Sequence, residues 1–64
     1  MEVVEIRGVE CAGAFVGRVE RVVAGEESMW FAYVGPACVG ALPGGVSEEE
    51  LSEWVAAVFA ACLD

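Results

Sequence analysis

Three cysteines, a glutamate triplet and an aromatic run are the residues whose types and spacing suit chemistry. Cys11, Cys38 and Cys62 stand 27 and 24 positions apart, which makes neither a CxxC metal knuckle nor a disulfide framework. A nucleophilic thiol needs an electropositive setting to lower its pKa, and the sequence around these three supplies none. They are read as free, mostly buried thiols that pack as small apolar side chains. Glu48, Glu49 and Glu50 offer carboxylates to a divalent cation. Calcium loops, however, alternate their oxygen ligands through a glycine-containing turn, whereas adjacent helical residues point about 100° apart. Trp30, Phe31 and Tyr33 have the rings that stack on bases, yet single-strand binders set such rings in a basic groove. Only Arg7, Arg18 and Arg21 are available for one, so the three rings are expected in the core.

What is missing narrows the chemistry further. The chain has no Lys, His, Asn, Gln or Thr. Without histidine there is no Ser-His-Asp triad, no Cys-His pair and no imidazole base or metal ligand. Without lysine there is no Schiff base and no phosphate-loop lysine, and the glycines form neither GxGxxG nor GxxxxGK. The expectation is a non-enzymatic protein with no cofactor and no metal.

The elements that must position these residues follow from periodicity. Residues 2–9 (EVVEIRGV) are short and rich in Val and Ile, which fits a strand. Strict alternation puts Val4 and Ile6 on one side with Glu2, and Val3 and Val9 on the other with Glu5 and Arg7. Residues 14–23 (AFVGRVERVV) also alternate, with Phe15, Val19 and Val23 on one face and Val16, Arg18, Glu20 and Val22 on the other; VGRVERVV also matches a short helix. Residues 24–28 have the composition of a hairpin loop of 3 to 5 residues. Met29 to Val34 is the strongest strand, Gly35-Pro36 breaks it, and 37–42 fits a short return strand before Pro43-Gly44-Gly45 ends the sheet. Ser47 then caps a helix over about 48–62, with Glu50 completing a capping box and Val46 and Leu51 forming a hydrophobic staple. Leu51, Trp54, Val55, Val58, Phe59 and Cys62 make its apolar stripe. The predicted fold is α+β: a three- or four-stranded antiparallel meander with one C-terminal helix packed on one face.

At 64 residues the chain is one small domain, residues 1–64, and a chain this short buries only about 60% of its unfolded surface. With 58% apolar and 22% charged residues it has the composition of a packed globule, not of an acidic disordered tail. Residues 29–46 run 18 positions without a charge, but their prolines and glycines argue against a membrane helix, and an open strand cannot cross a bilayer alone. The start, MEVVEIR, lacks the basic region and apolar core of a signal peptide. A cytoplasmic protein without a membrane partner is expected.

The remaining signal is charge. Eleven acidic residues against three arginines give a formal −8, a nearly single-sign field of the kind that draws in basic grooves and would repel nucleic acid itself. Same-face strand residues lie about 6.6 Å apart, and helical i, i+4 residues about 6 Å, comparable with phosphate spacing along a nucleic-acid strand. Glu2 with Glu10, Glu5, Glu20, the loop pair Glu26 and Glu27, and the helical pair Glu49 and Glu53 are the candidate acidic surface. In size, charge and sheet-plus-helix plan, the whole chain resembles small acidic phage-encoded inhibitors, including DNA-mimic anti-CRISPR proteins. That resemblance implies a protein-protein interaction in which carboxylates occupy the basic DNA or RNA groove of a nucleic-acid-binding partner, such as a multisubunit surveillance complex in a bacterial cytoplasm. A second reading, from a different class, is a small structural or assembly module, monomeric or a small homo-oligomer, whose exposed apolar residues pair with a partner. So short a chain has little interior for Met29, Trp30 and Val34 together.

Overall fold

In a computed structural model, the backbone is described for residues 1–63 and the side chains for residues 1–60; Cys62, assigned to the helical stripe, lies outside the described side chains. Four strands follow one another, β1 (Glu2–Cys11), β2 (Ala14–Ala24), β3 (Glu27–Val34) and β4 (Ala37–Pro43), and a helix, α1 (Glu48–Leu63), closes the chain. The strands pair antiparallel in the order β1-β2-β3-β4. The α+β meander with one C-terminal helix on one face is therefore the fold, with the fourth strand formed.

Glycines set the hairpins. Gly25 and Gly35 both take positive φ, 64° and 58°, at the first central position of a two-residue turn, a conformation that matches the twist of the flanking strands. The β2–β3 connection is thus a tight turn at Gly25 and Glu26, shorter than the loop expected over 24–28, because pairing continues to Ala24 and Glu27.

Bulges decide the two faces. The β1–β2 register skips Val4, between Val3 and Glu5, and skips Val16, opposite the Val9–Glu10 step. A one-residue slip moves every later side chain to the opposite face. Val3 and Ile6 therefore share the face away from the helix, and Phe15 joins Arg18, Glu20 and Val22 there, where strict alternation had separated them. Phe15 lies over Gly8, whose missing Cβ would sit 2.6 Å from its ring. Val16 turns toward the helix with Val9. A third bulge, at Val39, interrupts the β3–β4 ladder. Bulges at Val4 and Val39, charges along β1 and Pro43 on β4 all blunt the two sheet edges against further pairing.

The core lies under the helix. Val19, Trp30, Ala32, Leu51 and Phe59 form its buried cluster, flanked by Val9, Val16, Leu42, Val46, Trp54, Val55 and Val58. Two glycines let α1 approach: a Cβ on Gly17 would lie 2.4 Å from the Phe59 ring, and one on Gly40 would lie 3.3 Å from Trp54. Of the three strand aromatics expected inside, only Trp30 is buried; Phe31 and Tyr33 are half-buried on the other face. The helix start follows the capping logic, with the Glu50 amide donating to Ser47 Oγ at 3.1 Å and the Leu51 amide to the Ser47 carbonyl at 2.9 Å.

Phe59→Ala should destabilise the chain by about 3 to 5 kcal/mol through its cavity, a large share of the total of about 3 to 10 kcal/mol that a domain of this size carries. Ser47→Ala should remove about 1 kcal/mol with the cap. Urea melts of the two variants check both values, and a Phe59→Ala curve superimposable on the parent would contradict the helix packing.

Candidate functional site

Strand parity places the acidic residues. In an up-and-down meander the start of β1, the β2–β3 turn and the end of β4 lie at one end of the sheet, and α1 begins there as well. The Gly44 amide donates to the Ser28 carbonyl at 2.9 Å, tying the approach to the helix to the start of β3. Glu2, Glu26, Glu27, Glu48, Glu49 and Glu50, six of the ten glutamates, are therefore gathered at this end, and all six are exposed. The positive pole of the helix dipole faces them and favours carboxylates in the first turn. Glu53, also exposed, continues the set one turn further along α1 from Glu49.

The other candidate residues stand elsewhere. Glu10 pairs with Phe15 near the opposite end of the sheet, so it forms no row with Glu2. Glu5 lies on the helix side, where its carboxylate takes Arg7 Nε at 2.5 Å and Arg21 Nε at 3.5 Å. Glu20 lies on the face away from the helix and takes Arg18 Nε at 2.6 Å. Structure thus brings together Glu2, Glu26, Glu27, Glu49 and Glu53, and pairs Glu5 and Glu20 with arginine.

Arg7 is the hub of the polar structure at this end. Its two terminal nitrogens donate to the Glu48 carboxylate at 2.9 and 2.8 Å, a bidentate fork that joins the first turn of α1 to β1. Its guanidinium also lies 5.1 Å from the centre of the Trp30 ring, a cation–π geometry. These bonds hold the Arg7 pKa above its ordinary range, through Glu48 first and Glu5 second. In return, hydrogen bonding from Arg7 and its charge pull the Glu48 carboxyl below its ordinary value. All three arginines are engaged with glutamates, so none of them is left over to offset the other exposed carboxylates of the acidic end.

Two further features complete the surface. An apolar groove of about 530 Å³ runs between β1 and α1, lined by Val9, Cys11, Val16, Leu51, Val55 and Phe59; such walls suit an apolar group. Cys11 and Cys38 are free and exposed, which corrects the expectation that the thiols are mostly buried. Cys11 stands at the end of β1 on the rim of the groove beside α1, and Cys38, near the start of β4, lies on the face away from the helix. Among the described residues, no group of three or more His, Cys, Asp or Glu side chains is placed to hold a metal ion, and no helix is long and apolar enough to cross a membrane.

No protein-family model matches the chain, and neither the curated proteins nor the solved structures give a match. Sequence reasoning passed over Glu48 and Glu50 as surface carboxylates, although the capping box together with strand parity already sets them beside the β2–β3 turn.

Because folding lowers the Glu48 pKa, its pair with Arg7 adds stability above the ordinary carboxyl value of 4.5 and loses it as pH falls through the lowered value. Glu48→Gln should therefore melt below the parent near neutral pH, with the gap closing in acid as Glu48 becomes protonated in both states. Melting temperatures across the acid range check this, and a gap that widens on acidification would contradict it.

Proposed function

We propose that the chain is a non-enzymatic acidic inhibitor that presents its glutamate-rich end to the basic nucleic-acid-binding groove of a partner protein. The concrete form of the proposal is the anti-CRISPR one, in which carboxylates stand where target-DNA phosphates would lie on a surveillance complex. The observation that carries the reading is the segregation of exposed glutamates at one end of the molecule, with the arginines committed to internal pairs.

The physics of the encounter favours this end. A concentrated single-sign charge steers association with a basic cleft and raises its rate. Glu26 and Glu27 project from a tight turn, and Glu49 and Glu53 follow one ridge of a helix, so the carboxylates are carried on elements that need no rearrangement to bind. Preorganised charge avoids the ordering cost that a disordered acidic tail meets on binding. The same field disfavours direct contact with DNA or RNA, so the partner is a protein and no cofactor is involved.

The test is inhibition of target-duplex binding by a surveillance complex, read by mobility shift with increasing amounts of this protein. The block should weaken steeply as salt rises past about 150 mM, where charges are screened over about 8 Å. Glu26→Arg and Glu27→Arg together with Glu49→Arg and Glu53→Arg should reduce inhibition at least tenfold while leaving the circular dichroism spectrum unchanged. Glutamine at the same positions should act in the same direction but less. Undiminished inhibition by the four-arginine variant, or inhibition indifferent to salt, would overturn the proposal.

A further inference from the structure

The sheet has a second face that nothing in the fold covers. Register assigns it Val3, Val22, Met29 and Pro43 in one row; Ile6, Glu20, Phe31 and Ala41 in the next; and Gly8, Arg18, Tyr33 and Cys38 in the third, with Phe15 lying over Gly8. Ile6 is 62% exposed and Phe15 75%. A sheet face of this composition ordinarily packs against a second layer. Charges near its centre are few: Arg18, which donates to Glu20 and to the Gly35 carbonyl and lies 4.6 Å from the centre of the Tyr33 ring, and Glu20 itself.

We propose that this face is a homodimer interface, with a second copy of the chain as its occupant, packed sheet to sheet about a two-fold axis that crosses the strands at the level of Val19. The inference goes beyond the inhibitor reading and does not depend on it. Self-complementary charge is the first argument. An axis lying between the sheets and perpendicular to the strands exchanges positions 18 and 20, so Arg18 of each copy faces Glu20 of the other and both pairs join in one alternating ring. Isologous contacts of this kind require a patch that matches itself under a two-fold. The same operation sets Phe31 against the partner's Tyr33, and Ile6 against the partner's Gly8 and its covering Phe15, a protruding side chain against a flat ring. Two twisted sheets pack within about 30° of parallel, which preserves this correspondence near the axis.

Area is the second argument. A stable interface takes about 800 Å² from each partner, about a fifth of this chain's 4189 Å². The molecule measures 36 × 24 × 17 Å; one helix stacked on one sheet makes the short dimension, so the open face is a broad side able to supply that area. Charge is the third. The axis that exchanges 18 and 20 also reverses strand direction, sending the two acidic ends to opposite ends of the dimer. Their separation exceeds a screening length of about 8 to 10 Å, so the net −8 of each copy does not prevent association in this orientation.

Equilibrium sedimentation of the full chain at about 100 µM, well above a micromolar Kd, tests the proposal. The expected mass is twice 6.7 kDa. Ile6→Glu should weaken association at least tenfold with an unchanged circular dichroism spectrum, since its side chain is mostly exposed. Arg18→Glu and Glu20→Arg should each sediment as monomers, because each sets like charges opposite one another. An equimolar mixture of those two variants should recover dimer mass, since the charges then match between copies but not within one. A wild-type mass of 6.7 kDa, a dimer indifferent to Ile6→Glu, or a mixture that stays monomeric would overturn it.

Discussion

A single helix of 16 residues is about 24 Å long and about 10 Å across, so it covers one face of a four-stranded sheet and no more. The apolar residues of the described sheet and helix are sorted by that constraint. Those under the helix make the buried cluster of Val19, Trp30, Ala32, Leu51 and Phe59, and those on the other face stay open or half-open except Val22, which its neighbours in the row bury to 9% exposure. The glycines are distributed accordingly. Gly17 and Gly40 sit beneath α1, where a Cβ would meet Phe59 or Trp54, and Gly8 sits on the open face beneath Phe15. Close approach on one side and a flattened surface on the other arise from the same residue type at different register positions.

Arg7 links this packing to the charge distribution. Its side chain reaches from the edge strand to Glu48 on α1 and passes over Trp30, so the ion pair, the helix start and the central core aromatic are held in one place. Exposed pairs of this kind add little stability alone, but a bidentate fork fixes orientation. With Arg18 on Glu20 and Arg21 on Glu5, the three cations offset glutamates on the sheet and at the first residue of α1. The remaining carboxylates around the β2–β3 turn and the helix start keep their full field.

The sequence made the helix legible because its signals are local. Ser47, Glu50, Val46 and Leu51 sit within six positions, and the bonds from the Glu50 and Leu51 amides form as the spacing implies. The meander order was legible for the same reason, each hairpin being marked by glycine or proline, while the count stayed at three or four until the pairing of β4 with β3 settled it. The faces of β1 and β2 were not. Alternation assumes two residues per repeat throughout, and bulges at Val4 and Val16 shift it where Val and Phe give no residue-type signal for an extra position. Exposure of Cys11 and Cys38 was hidden likewise, since it depends on tertiary placement: Cys11 at the open rim of the groove beside α1, Cys38 on the uncovered face. The acidic end needed both levels together: neither a turn nor a cap announces a shared surface until strand parity sets them side by side.

Fold and surface are consistent because charge and apolar area are separated along different directions of the molecule. Carboxylates collect where chain reversals and the helix start coincide, at one end of the strand axis, while uncovered apolar area faces along the sheet normal. A contact made through the open face leaves the acidic end in solvent, and a basic groove that takes the acidic end leaves the sheet face free. Had the exposed glutamates of that end stood on the open sheet face instead, either contact would have had to desolvate charge that the other uses, at several kcal/mol per unpaired ion. The meander avoids that conflict by topology: antiparallel strands joined by short turns bring three chain segments to one end, and the helix that covers the core must begin there.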